Sequence, residues 1–209
     1  MARKRNNRQF FVAKGFENQD INLPKRQTEH AAGYDFEASE DTTIYPVWWN
    51  FLSTLVVRPR VNIMEFEADG KKLNFNSIEG IDVFPIQEEQ EEHKGWQKLM
   101  RPTLVPTGVK ADMGDDEALF LYNRSSNPLK KLLMLGNGVG VIDKDYFENE
   151  SNDGHIMFQF VNLGLFPVTL KKGERIGQGV FSTFLKTRDD EASGKRTGGH
   201  GSTDEEAKA

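Results

Sequence analysis

Apolar and polar residues alternate in short bursts along most of this chain, and the bursts end at Gly, Pro, Asn or Asp. Alternation with period two suits a half-buried strand, because successive side chains point to opposite faces. The pattern predicts strands at Gln9–Ala13, Tyr34–Ala38, Thr103–Val105, Leu119–Tyr122, Ile156–Asn162, Val168–Leu170 and Gly177–Thr183. Phe158-Gln159-Phe160-Val161-Asn162 and Gln178-Gly179-Val180-Phe181 show it most plainly. Helical periodicity is scarce. One short helix is expected around Asn127–Met134, with Pro128 suited to its first turn. Many short strands with closely spaced turns predict an all-β sandwich or barrel.

Two stretches break this texture. Val47-Trp48-Trp49-Asn50-Phe51-Leu52 is densely apolar, and Arg60–Ala68 and Lys71–Ile78 then flank Asp69-Gly70, a dipeptide suited to a tight hairpin turn. The acidic run Glu88-Glu89-Gln90-Glu91-Glu92 follows. We read 47–102 as a hairpin-bearing insertion that divides a β core made of 1–46 and 103–186. From about Thr187 the chain becomes polar and glycine-rich, the composition of a flexible C-terminal arm spanning 187–209. Within it, Arg196-Thr197-Gly198-Gly199-His200-Gly201-Ser202-Thr203 combines a fixed cation, adaptable amides and hydroxyls, a composition able to grip phosphate.

Composition narrows the function. The chain has 209 residues, 37% of them hydrophobic and 28% charged, which suits a folded, soluble protein. Its 15 Phe residues favour strands. The net charge of −5 gives no general attraction to nucleic acid or to an anionic membrane, so any phosphate site must be a local concentration of donors. Absence of cysteine excludes disulfides, thiolate zinc sites and cysteine nucleophiles, and it fits a reducing, cytoplasmic setting. The apolar stretch after the basic Met1–Arg8 is too short for a signal peptide, and no window approaches a spanning helix. His30, His93, His155 and His200 lack metal-ligand spacing, and no segment fits a P-loop or a complete dinucleotide fingerprint.

Five segments remain: Ala32-Gly33-Tyr34-Asp35-Phe36, Asn123-Arg124-Ser125-Ser126, Gly136 through Tyr146, Gly173-Glu174-Arg175-Ile176-Gly177-Gln178, and Arg196 through Thr203. In this order they resemble the motifs of the homotrimeric deoxyuridine triphosphate nucleotidohydrolase (dUTPase) family. Leu104-Val105-Pro106-Thr107-Gly108 resembles the stretch that leads into the second motif. The resemblance covers most of 30–46 and 103–203 and leaves 47–102 unmatched. It implies a jelly-roll-like β subunit, a homotrimer with sites shared between subunits, and Mg²⁺-assisted hydrolysis of dUTP to dUMP and pyrophosphate.

By the same resemblance, Asp35 holds the metal through water, while Arg124, Ser125 and Ser126 grip phosphates as a rigid fork with hydroxyl and amide donors. Asp143 acts as general base toward the attacking water. Asn137 and the backbone through Gly140, Val141 and Ile142 read the uracil edge, and Tyr146 stacks under the deoxyribose, leaving no room for a 2′-hydroxyl. Residues alone also fit Tyr146 as a core aromatic closing a hairpin. Gln178 donates to phosphate; Arg175 either does the same or forms a bracing ion pair. Arg196 clamps the terminal phosphate, and His200, Gly201 and Ser202 close over the ligand.

The chain departs from the family at Ser126, where glycine is usual, and at His200, where phenylalanine is usual. The wide spacing between Asp35 and Arg124 is a third departure. Two alternatives belong to other classes. One is a dCTP deaminase-like nucleotide enzyme. In the other, the insertion binds a regulatory protein through Trp48, Trp49 and Trp96, with or without dUTPase activity.

Overall fold

A computed structural model describes residues 8–49, 65–68, 71–74 and 101–192. The chain divides into two compact units, one made of Met1–Pro46 and Pro102–Ala209, the other of Val47–Arg101. Within the second unit, β4 (Glu65–Ala68) pairs antiparallel with β5 (Lys71–Asn74), Ala68 facing Lys71. Turn residues 69–70 and the rest of the predicted hairpin lie outside the described residues.

The first unit is built of strands. In chain order they are β1 (Gln9–Val12), β2 (Tyr34–Glu37), β3 (Thr42–Ile44), β6 (Thr103–Pro106), β7 (Val109–Asp112), β8 (Glu117–Asn123), β9 (Leu133–Leu135), β10 (Gly140–Ile142), β11 (Met157–Asn162), β12 (Val168–Leu170) and β13 (Arg175–Thr183). One sheet runs β10-β8-β13-β2, a second β6-β11-β9, and the pairs β1-β7 and β12-β3 complete the unit, every pairing antiparallel. Among the described residues no helix is long and apolar enough to cross a membrane.

The sequence Ile176-Gly177-Gln178-Gly179-Val180 explains how the core closes. A side chain at Gly177 would overlap the Phe158 ring, and a Cβ at Gly179 would lie 2.6 Å from the Phe36 ring. The two glycines therefore let Phe158 and Phe36 lie flat against the β13 backbone, with their ring centroids 5.6 Å apart. Both rings are fully buried among Ile44, Leu119, Leu133, Phe160, Leu170 and Ile176. Between the glycines, Gln178 is turned to the opposite face of the sheet by the period of two.

β1 adds Phe10 to this core, its ring against Tyr34, Phe36 and Phe181. Arg8 begins that strand with an ion pair to the buried Glu117. The guanidinium, helped by the Gly114 amide, holds the Glu117 carboxyl below the usual carboxylate range.

The helix is shorter than expected. It spans Ser126–Lys131 (α1), because Leu132 takes a left-handed conformation (φ 52°) and donates its N–H to the Asn127 carbonyl. Leu133-Met134-Leu135, expected at its end, is instead β9, with Leu133 and Leu135 buried and Met134 exposed. Strands β3, β7, β9 and β10, of three or four residues each, were not expected.

Candidate active site

Across β2, β13 and β8, Asp35, Gln178 and Tyr122 form one row. Asp35 is only 6% exposed, so its charge must be met by protein donors. Gln178 Nε2 donates to Oδ1 at 2.9 Å and Arg175 Nη1 to Oδ2 at 3.2 Å. Arg175 thus forms its ion pair within the subunit. Gly33 leaves space beside Gln178, where a Cβ would stand 3.2 Å from that residue's own Cβ.

Arg124 follows β8 directly and reaches the same strand, its Nη1 donating to the Arg175 carbonyl at 2.9 Å. That bond uses one of the five guanidinium donors. Ser125 is exposed and caps α1 without a side-chain bond to the helix; the half-buried Ser126 begins the helix. Asp35, Arg124, Arg175 and Gln178 therefore form one hydrogen-bonded chain of polar groups at the start of β13, beside two serines.

Whether this cluster suits Mg²⁺ depends on its donors. Each Asp35 oxygen accepts one described hydrogen bond and carries two lone pairs. Among the described residues no group of three or more His, Cys, Asp or Glu side chains could hold a metal. Mg²⁺ commonly takes one or two carboxylates, several waters and substrate phosphates. A lone carboxylate whose oxygens each keep a lone pair fits a water-mediated contact of that kind.

The Gly136–Tyr146 segment is built differently. The Gly136 and Gly138 amides donate to the Gln159 and Leu135 carbonyls, and β10 then pairs with β8. A Cβ on Gly136 would lie 2.7 Å from the Pro102 ring, and one on Gly140 would lie 3.1 Å from Leu121 Cβ. At these two glycines the space that a Cβ would need is filled by the protein's own side chains. Gly138 alone of the three has open space around it, and its φ of +69° favours glycine. Asn137 and Val141 are exposed, whereas Ile142 packs against the core.

Asp143, half-buried, starts the turn Lys144–Tyr146, and its carbonyl accepts from the Tyr146 amide. Tyr146 is 4% exposed. Its hydroxyl donates to the His155 carbonyl at 2.9 Å and accepts from Asn152 Nδ2 at 2.7 Å. The hydroxyl thus ties the ring to the frame of the hairpin. His155 accepts the Gly108 amide on Nε2 at 2.9 Å and lies 4.6 Å from the Phe16 ring. Burial pushes its pKa down to about 4.

One separation follows from register. Gly140, Val141 and Ile142 face Leu121, Phe120 and Leu119, so Asp143 lies level with Ala118. Arg124 stands six residues further along β8, roughly 20 Å away at strand rise. One subunit does not bring its Asp143 to its own Arg124. Arg196, His200, Gly201 and Ser202 lie outside the described residues.

Sequence reasoning overlooked Asn123 and Asn127 as tethers. Asn127 Nδ2 donates to Asn123 Oδ1 and to the Ile176 carbonyl, both at 2.7 Å, and Asn123 Nδ2 donates to the Leu133 carbonyl at 2.9 Å. The available signal was asparagine at a helix start, a position where short polar side chains bond to nearby backbone.

Comparison with known proteins agrees with this architecture. A family model described as dUTPase matches residues 96–203. A deoxyuridine 5′-triphosphate nucleotidohydrolase from Lactococcus lactis is 39% identical over 198 residues, covering 94% of this chain and 97% of that protein. The crystal structure of a dUTPase from Streptococcus mutans matches with a TM-score of 0.55 and 35% identity, covering 85% of this chain and 97% of the other. A dUTPase mutant from phage phi11 of S. aureus, described with a coordinated structural Mg(II) ion, shares the fold at a TM-score of 0.53 and 13% identity, covering 90% and 98%.

Proposed function

The chain belongs to the dUTPase family, and we propose that it performs that family's reaction in sites shared between copies of this subunit. It is an enzyme, a dUTP diphosphatase. Water attacks the α-phosphorus of dUTP, the bond to the bridging oxygen breaks, and dUMP and pyrophosphate leave. By removing dUTP the reaction keeps uracil out of DNA, and it supplies dUMP. On this reading the catalytic core is 1–46 with 103–186, the arm is 187–209, and 47–102 is an insertion. We assign the setting as cytoplasmic and the assembly as a homotrimer.

The observation that carries the site reading is the latched group at the start of β13. Arg124 and Arg175 bring two fixed cations beside Ser125, Ser126 and Gln178, the donor set a triphosphate needs. Bound there with the phosphates, Mg²⁺ supplies charge neutralisation and alignment, with Asp35 its outer carboxylate.

Asp143 is the general base, taking the proton of the attacking water. It comes from a neighbouring subunit, because its own Arg124 stands at the far end of the β8–β10 pair. Asn137 and the backbone of Gly140, Val141 and Ile142 read the uracil edge, with open space at Gly138 to admit it. Tyr146, anchored by its hydroxyl in the hairpin, stacks under the deoxyribose and leaves no room for a 2′-hydroxyl. Arg196, His200, Gly201 and Ser202 close over the phosphates and base, excluding all water but the nucleophile.

The test is turnover of dUTP, dCTP, dTTP and UTP with and without Mg²⁺, alongside solution mass. Pyrophosphate from dUTP alone, dependent on Mg²⁺, in a particle of three chains is the expected result. Ammonia from dCTP would move the chain to the deaminase class.

A further inference from the structure

We propose that Asn127, relayed through Asn123, is a positioning residue that holds the Arg124-Ser125-Ser126 turn in register with β13. The proposal rests on the dUTP-hydrolysing reading above and concerns how that site keeps its shape.

Three observations point to it. Asn127 is 2% exposed, yet it sits among residues that contact solvent on either side. Both of its described side-chain contacts are to oxygens, Asn123 Oδ1 and the Ile176 carbonyl, so the amide must present its two N–H groups. Asn123 is oriented in turn by its own donation to the Leu133 carbonyl. The relay therefore has one polarity, set at both ends by backbone.

Its far end falls at a special place. β13 shifts register against β2 between Arg175 and Gly177, and its pairing with β8 begins only at Gly177. Ile176 is left between the two ladders, as residues at such irregularities are. Asn127 supplies the donor that its carbonyl lacks there. One residue earlier, the Arg175 carbonyl takes the Arg124 guanidinium. The Asn127 amide also closes the turn on the Arg124 carbonyl at 3.0 Å. The turn that carries Arg124 and both serines thus grips two consecutive carbonyls of the strand that carries Arg175 and Gln178. If the amide donors were lost, the phosphate donors on the two elements would no longer hold one spacing.

The test uses Asn127→Leu, which keeps the branching at Cγ and removes the donors, and Asn127→Asp, which keeps the shape and reverses the polarity. Both should raise KM for dUTP about tenfold while kcat changes by less than about threefold, the pattern of lost ground-state binding. Affinity for a non-hydrolysable imido analogue of dUTP should fall about tenfold while affinity for dUMP changes by less than about threefold, because only the longer anion spans both elements. Unchanged KM in both variants, or equal losses for triphosphate and monophosphate, would overturn the proposal. If both variants fail to melt cooperatively, Asn123→Ser, which cuts only the distal link, is judged by the same affinity ratio. A wild-type enzyme inactive on dUTP would remove the activity reading instead, and pyrophosphate affinity in the same variants would then decide the relay.

Discussion

On the reading proposed above, the start of β13 holds the phosphate end of the site and the Gly136–Tyr146 hairpin the base end, and the two are built on opposite principles. At β13, charged and amide side chains from two strands, a turn and a helix bond to one another and to carbonyls: Asp35 to Arg175 and Gln178, Arg124 to β13, Asn127 to Ile176. In the hairpin the side chains mostly serve the fold, with Gly136 and Gly140 yielding space to Pro102 and Leu121 and Tyr146 tied to His155. An anion is held by fixed charge, which strands position well. A flat base edge is read by main chain, which needs little more than one open glycine and a stiff frame. Substitutions in the two regions should therefore fail in different ways.

The largest expected effect lies at the junction of the two. Asp143→Asn should lower kcat by about 10²–10⁴-fold, the usual worth of a positioned general base, with KM nearly unchanged. A variant with full activity would leave the hairpin only a reading role and break the comparison. Gly177→Ala comes next, because its methyl would overlap Phe158 in a closed core. Overpacking of this kind costs about 1–3 kcal/mol, read as a lower midpoint in urea. Its loss of activity should follow loss of fold in both halves equally.

Tyr146→Phe sharpens the contrast. It removes the hydroxyl from two buried hydrogen bonds, at a cost of about 1–2 kcal/mol of stability. Discrimination between dUTP and UTP should survive, since the ring remains. If that discrimination collapses while the melting temperature holds, the hydroxyl belongs to the site and not to the frame.

The smallest effect is on pH. The folded value of His155, about 4, lies below its ordinary 6.5, so the unfolded chain binds more protons between these limits. The hairpin frame should lose stability as pH falls from 6.5 toward 4, and the melting temperature should drop by several degrees. In His155→Gln, whose side-chain oxygen can still accept the Gly108 amide, that part of the pH dependence should vanish.

Much of this was legible in the sequence, for identifiable reasons. Alternation exposed β11 and β13 because each buries one face against aromatic rings. The helix ran too long because Leu132, a residue with no turn signature, adopts the left-handed conformation that ends it. Nothing local distinguishes Leu133-Met134-Leu135 from a last helical turn; its strand state comes from pairing with β11. Within the site, Asp35, Arg124 and Gln178 were readable as residue types, but their partners, the Arg175 carbonyl for Arg124 and the Asp35 carboxylate for Gln178, are set by tertiary structure. The packing at the hairpin glycines was not legible, because the sequence does not say whose atoms will fill the space a missing Cβ leaves.

The distance between Asp143 and the Arg124 of its own chain carries a genetic consequence. On the roles proposed for them, a particle built only from subunits lacking the aspartate should be dead, and so should one built only from subunits lacking the arginine. Mixed in one cell, the two defects need not coincide in every cavity, so a blend of two crippled alleles should recover part of the lost turnover. A single defective copy beside a healthy gene would, by the same logic, spoil cavities belonging to its neighbours.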